Sequence, residues 1–113
     1  MLHQMGLYQE PFQFIVSGRK VVEIRLNDQK RQAIQVADQI EFTNLSTNEQ
    51  VVVQVTARQS FKDFRELYEQ IPLEQIDCIG WSMEELLNAT YTIYSSESEK
   101  QFGALALTIE RNF

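Results

Sequence analysis

Gly18-Arg19-Lys20-Val21-Val22-Glu23-Ile24-Arg25-Leu26 is the stretch on which the fold turns. From Val21 to Leu26 the hydrophobic period is two, with Val22, Ile24 and Leu26 on one face and Val21, Glu23 and Arg25 on the other, the alternation of a strand with one polar face. Glu23 and Arg25 therefore project the same way, about 7 Å apart along the strand. Lys20 has the wrong parity to join them in a regular strand. It reaches them only if the chain leaving Gly18 is still turning, as at a helix end. Upstream, Pro11 to Ser17 predicts a helix with Phe12, Ile15 and Val16 on its apolar face: Pro suits the first helical position, and Gly18 is placed to take the left-handed conformation just past the end.

Outward from this stretch the rest of the chain falls into short elements. Gln39–Thr43 and Gln50–Ala57 alternate as two strands, with the 44–49 segment as their connection. Phe61, Phe64, Leu67, Tyr68 and Ile71 recur at helical spacing, with Asp63 as cap and Pro72 as stop. Ser82 with Glu85 forms a capping-box pair, and Ser96 with Glu99 predicts a second one before Gly103. Leu105, Leu107 and Ile109 then alternate with small residues in a closing strand. Strands before and after a cluster of helices, with no βαβ alternation, indicate an α+β fold. Several short strands and a late closing one suit a small barrel.

The chain has 113 residues, 43% of them hydrophobic and 23% charged, with no repeat and no Gly/Ser/Pro linker. One domain spanning 1–113 is the expectation. A single cysteine, Cys78, and a single histidine, His3, form no disulfide and no zinc set of four Cys/His ligands, so neither metal nor cofactor is expected. His3 reads as a surface residue near the terminus and Cys78 as a packed or idle thiol. No apolar run resembles a secretory signal or a membrane span, so the expected location is cytoplasmic, with no membrane partner.

Net charge is −6, unlike the uniformly basic surface that wraps duplex DNA. Residues 19–31 nevertheless hold five cations against two anions, while residues 63–99 hold nine acids and one base. The local basic site suits a compact anionic ligand or a short stretch of nucleic-acid backbone. Lys30 and Arg31 either extend its rim or lie on a solvated loop, and the acidic half is a candidate surface for a protein partner. Trp81, Tyr91 and Tyr94 are candidates for a stacking wall or for core packing. Tyr94 is singled out because a phenol packs and still presents a hydroxyl.

The motif Gly18-x-Lys20-x-x-Glu23-x-Arg25 resembles that of the ASCH family in the PUA-like superfamily, and matches it at all four defining positions. The segment Val36–Phe42 resembles the approach to a barrel strand in that family, and Phe102–Leu107 its final strand. Ala37 stands where glycine is more usual. The resemblance implies a PUA-like β-barrel of about five to six mostly antiparallel strands flanked by three to four short helices. It also implies a cleft lined by Lys20, Glu23 and Arg25 that takes RNA or a nucleoside-like ligand, to which the residue reading adds Tyr94. In that cleft Glu23 would accept from an exocyclic amine or ribose hydroxyl. The residues alone leave a plainer alternative open: a Glu23–Arg25 ion pair that orders the strand, with Lys20 in solvent. Some relatives are amidohydrolases that remove acyl groups from modified cytidine, which would make Lys20 a catalytic base or activator. Those enzymes carry threonine where Glu23 stands, together with a distal glutamate for which Glu84 and Glu85 are the nearest candidates.

Overall fold

The computed structural model describes residues 1–111. Its elements are β1 (Leu2–Leu7), α1 (Gln9–Val16), β2 (Val22–Leu26), α2 (Gln29–Gln32), β3 (Gln39–Asn44), β4 (Gln50–Phe61), α3 (Phe64–Gln70), a 3-10 turn (Leu73–Ile76), α4 (Met83–Tyr91), α5 (Ser96–Phe102) and β5 (Ala104–Arg111). The five strands form one sheet in the order β1-β3-β4-β5-β2. All pairs are antiparallel except β1 with β3. The sheet is a half barrel: among the described residues its ladder leaves β1 and β2 as edges rather than pairing them.

Strand β4 carries the bend. Its first half pairs with β3, and from Val53 onward it pairs with β5, with a register shift between Val55 and Ala57. A bulge of this kind raises the local twist and curls the sheet. Strand β5 lies between β4 and β2 with both faces covered. Leu105, Leu107 and Ile109 enter a core with Phe12, Ile15, Ile40, Phe42, Val53 and Val55. Ala104 and Ala106 face a second core with Val22, Leu26, Phe64, Leu67 and Leu86. The two alanines are small, which lets α3 and α4 pack close on that side.

Capping residues set most helix starts. Asp63 accepts from Glu66 N at 2.8 Å, and Ser82 and Glu85 form a complete capping box, both as expected from sequence. The expected Ser96–Glu99 box does not form. The N-cap is Ser95, one residue earlier, and Glu99 turns inward. Gly103 ends α5 with φ +75°, and a Cβ there would sit 2.6 Å from the Phe61 carbonyl oxygen. Only glycine fits.

Three elements carry no signal in the sequence reading: β1, the single turn α2 and the 3-10 turn. With α2 the helices among the described residues number five rather than three to four. Helix α1 begins two residues before Pro11, with Tyr8 as its N-cap. Ala37 has φ +79°, a left-handed conformation that accounts for glycine being usual there. No helix among the described residues is long and apolar enough to cross a membrane.

Candidate binding cleft at the edge of the sheet

The chain leaving α1 solves the parity problem of Lys20. Gly18 takes φ +80°, and Lys20 N donates to the Phe14 carbonyl at 3.0 Å, so the backbone is still turning when Lys20 leaves it. The Lys20 ammonium then lies 2.9 Å from Glu23 Oε1. From the other side Arg25 donates to Glu23 Oε2 through Nε at 3.0 Å, and Nη2 lies 2.9 Å from the same oxygen. Nη2 also donates to the Gly6 carbonyl at 3.0 Å, so the guanidinium bridges edge strand β2 to edge strand β1. Among the described residues no acceptor meets Arg25 Nη1.

Glu23 is 2% exposed. Burial works to raise its carboxyl pKa, but the charges of Lys20 and Arg25 and the hydrogen bonds from both outweigh burial and hold it below its ordinary value. It is a buried anion clamped between two cations, each of which keeps part of its surface open. The ion pair that the residues alone allowed is present, but Lys20 belongs to it and is not in free solvent.

Two adjoining hollows of about 300 Å³ each flank edge strand β2 and share Pro11, Lys20, Ile24, Ile93 and Tyr94. The strand-side hollow is completed by Gly6, Tyr8, Glu23, Arg25 and Leu45. The helix-side hollow is completed by Tyr68, Ile76, Cys78, Trp81, Leu86 and Thr90. Each is at the lower end of the size range of small-molecule sites, roughly 300–1,000 Å³. Lys20, Glu23, Arg25 and Tyr94 are thus brought together. Tyr94 stands at the junction, its ring stacked on Phe64 with centroids 5.5 Å apart.

Other residues fall elsewhere. Trp81 lines the helix-side hollow, half-exposed, but Tyr91 lines neither. Its hydroxyl donates to Glu99 at 2.9 Å, and burial together with that carboxylate pushes the phenol up to about 12. Glu99, 7% exposed, also accepts from Phe64 N, so it ties α3, α4 and α5 together. Glu84 and Glu85 line neither hollow, and Glu85 is held in its cap. Arg31 pairs with Asp28 at 3.1 Å, and with Lys30 lines a separate shallow hollow that meets the cleft at Gly6 and Leu45. His3 is not on the open surface: its side chain is 9% exposed and Nε2 lies 2.8 Å from Asp38. Cys78 is a packed thiol lining the helix-side hollow, its pKa raised chiefly by burial. Tyr68 and Thr90 are among the lining residues that sequence reading missed. Helical spacing marks Tyr68 as core, and nothing local says that its hydroxyl meets Thr90.

A curled five-stranded half barrel, with helices packed on both faces and a cationic cleft at the seam between its edges, defines the small PUA-like barrel class. The chain belongs to the ASCH domain family, whose profile matches residues 5–113. It is similar to the hypothetical protein PH0355, known from a crystal structure, with 31% identity over 99% of this chain and 100% of that one and a TM-score of 0.89. It is also similar to protein PF0455 from Pyrococcus furiosus, solved by NMR, with 35% identity over 98% and 97% of the two chains and a TM-score of 0.77. An ASCH domain from Lactobacillus crispatus shares the fold, with a TM-score of 0.64 at 15% identity over 97% of this chain and 79% of that one. No curated protein matches the sequence.

Proposed function

We propose that the cleft over β2 binds a nucleotide unit, either free or within single-stranded RNA. Lys20 and Arg25 donate to phosphate or carbonyl oxygens, and Tyr94 offers its ring to the heterocycle. One observation carries this reading: two cations are anchored on a single buried carboxylate at the junction of two hollows. With both its oxygens engaged, Glu23 serves to aim the cations rather than to touch the ligand. Arginine is suited to the outer position because its planar fork can hold Glu23 with one edge and an incoming oxygen with Nη1. Membership of the ASCH family is consistent with contact to nucleic acid.

Binding of nucleoside monophosphates and short single-stranded RNAs, followed by calorimetry, tests the reading. Lys20→Ala and Arg25→Ala should each weaken affinity about tenfold or more, the scale of a hydrogen bond to a charged group. Affinity indifferent to both substitutions would end the proposal.

Turnover is the weaker reading, because Glu23 is the one acid among the described residues lining the hollows, and it is already paired. Incubation with N4-acylated cytidine should therefore release no more free cytidine than the Lys20→Ala variant does. A Lys20-dependent rate would replace the binding module with an amidohydrolase.

A further inference from the structure

Tyr68 on α3 and Thr90 on α4 meet in the wall of the helix-side hollow, with Tyr68 Oη 2.6 Å from Thr90 Oγ1. Either hydroxyl could donate in this contact taken alone, and a third group selects between them. Thr90 Oγ1 donates to the Leu86 carbonyl oxygen at 2.8 Å in a buried contact, and a hydroxyl has one hydrogen to give. Both contacts are hydrogen bonds at once only with Thr90 as the acceptor from Tyr68, and that arrangement commits the hydrogen of Tyr68 to Thr90. Burial pushes the Tyr68 phenol above its ordinary value of 10.0, so that hydrogen is present at neutral pH. The neighbouring Cys78 thiol likewise points at the Ile76 carbonyl, at 3.5 Å. What this wall presents to the hollow is lone pairs.

We propose that the Tyr68 oxygen is a specificity-determining acceptor that selects ligands whose ring carries an N–H donor, such as the amino group of a nucleobase. Lys20 and Arg25 take the acceptor atoms at the other end of the same ligand. A freely rotating hydroxyl would serve donors and acceptors alike, whereas one locked through Thr90 to Leu86 serves donors only. A carbonyl placed against it is left unpaired, and a buried site discriminates strongly against a group that it leaves without a partner. The inference rests on the nucleotide reading above and adds to it which end of the ligand enters the helix-side hollow. It also supplies the acceptor that Glu23, with both oxygens engaged, does not.

Two pairs of probes test it: adenosine against purine riboside 5′-monophosphate, and cytidine against pyrimidin-2-one riboside 5′-monophosphate. In each pair the second compound lacks only the amino group. By calorimetry the protein should bind the amino-bearing member of at least one pair about tenfold more tightly. Tyr68→Phe should abolish that preference by weakening the amino-bearing ligand alone. Thr90→Val removes the acceptor, lets Tyr68 turn its hydrogen into the hollow, and should also reduce the preference; circular dichroism and melting confirm that each variant is folded. Equal affinity within both pairs, or a preference that survives Tyr68→Phe, overturns this inference and leaves the nucleotide reading standing. Failure of all four probes and of short RNAs to bind overturns both.

Discussion

Glu23 concentrates the electrostatics of the cleft in one buried carboxylate. Its folded pKa lies below its ordinary value of 4.5, so the stability it contributes is fully present above that pH and is lost as pH falls through the lower folded value. Glu23→Gln should cost about 3 kcal/mol at neutral pH, because it leaves the largely covered cations Lys20 and Arg25 facing each other without a compensating charge. Urea unfolding at pH 7 and pH 3 checks this: the gap between the two proteins should narrow at the lower pH. At Ala37 the φ of +79° places a Cβ where L-residues are strained. Ala37→Gly should raise stability by about 1 kcal/mol, read as a higher urea midpoint with unchanged slope.

Among the elements, the helical layer depends on Glu99, whose carboxylate holds Phe64 N on α3 and the Tyr91 hydroxyl on α4 from its place on α5. Glu99→Ala leaves a buried N–H unpaired and should cost about 2–3 kcal/mol in thermal or urea unfolding. Phe64 supports Tyr94, so the same change should also weaken ligand binding. This residue shows how far local patterns reach. Ser96 followed by Glu99 has the spacing of a capping box, yet the helix starts at Ser95 and Glu99 faces inward, because a distant N–H and a phenol compete for the carboxylate. Strand β1 was illegible for a related reason. Only Met5 and Leu7 of its residues are buried, and its ladder partners in β3 lie 37 positions away. Asp38, just before β3, joins this strand to the rest by accepting from His3, from Gln35 N and from the terminal ammonium, which lower its pKa from 3.8 to about 2. Its contribution is present above pH 3.8 and is lost as pH falls toward 2. Asp38→Asn should flatten that part of the acid-unfolding curve.

For the whole molecule, the cleft sits where the sheet fails to close, and Arg25 spans the gap to Gly6. The surrounding protein is net acidic, so a nucleic acid gains little outside the cleft. Two cations facing the ligand predict a shallow salt dependence for single-stranded RNA, with log affinity falling against log salt by a slope of about −1.4. Duplex DNA should bind far more weakly at the same salt. Fluorescence anisotropy across a salt series measures both, and a steep slope would locate the contact on a broader surface.

By itself the sequence determined the α+β class, the family motif, the strand parity that puts Glu23 beside Arg25, and the caps at Asp63 and Ser82. These are decided by residues within a turn or two of one another, where periodicity and capping chemistry act directly. Only the tertiary structure decided that Lys20 turns back onto Glu23, that the carboxylate is buried, that β1 supplies Gly6 to Arg25, and that Tyr68 meets Thr90. Each of those depends on surfaces brought together by core packing across many residues, and on hydrogen bonds whose partners no local pattern names.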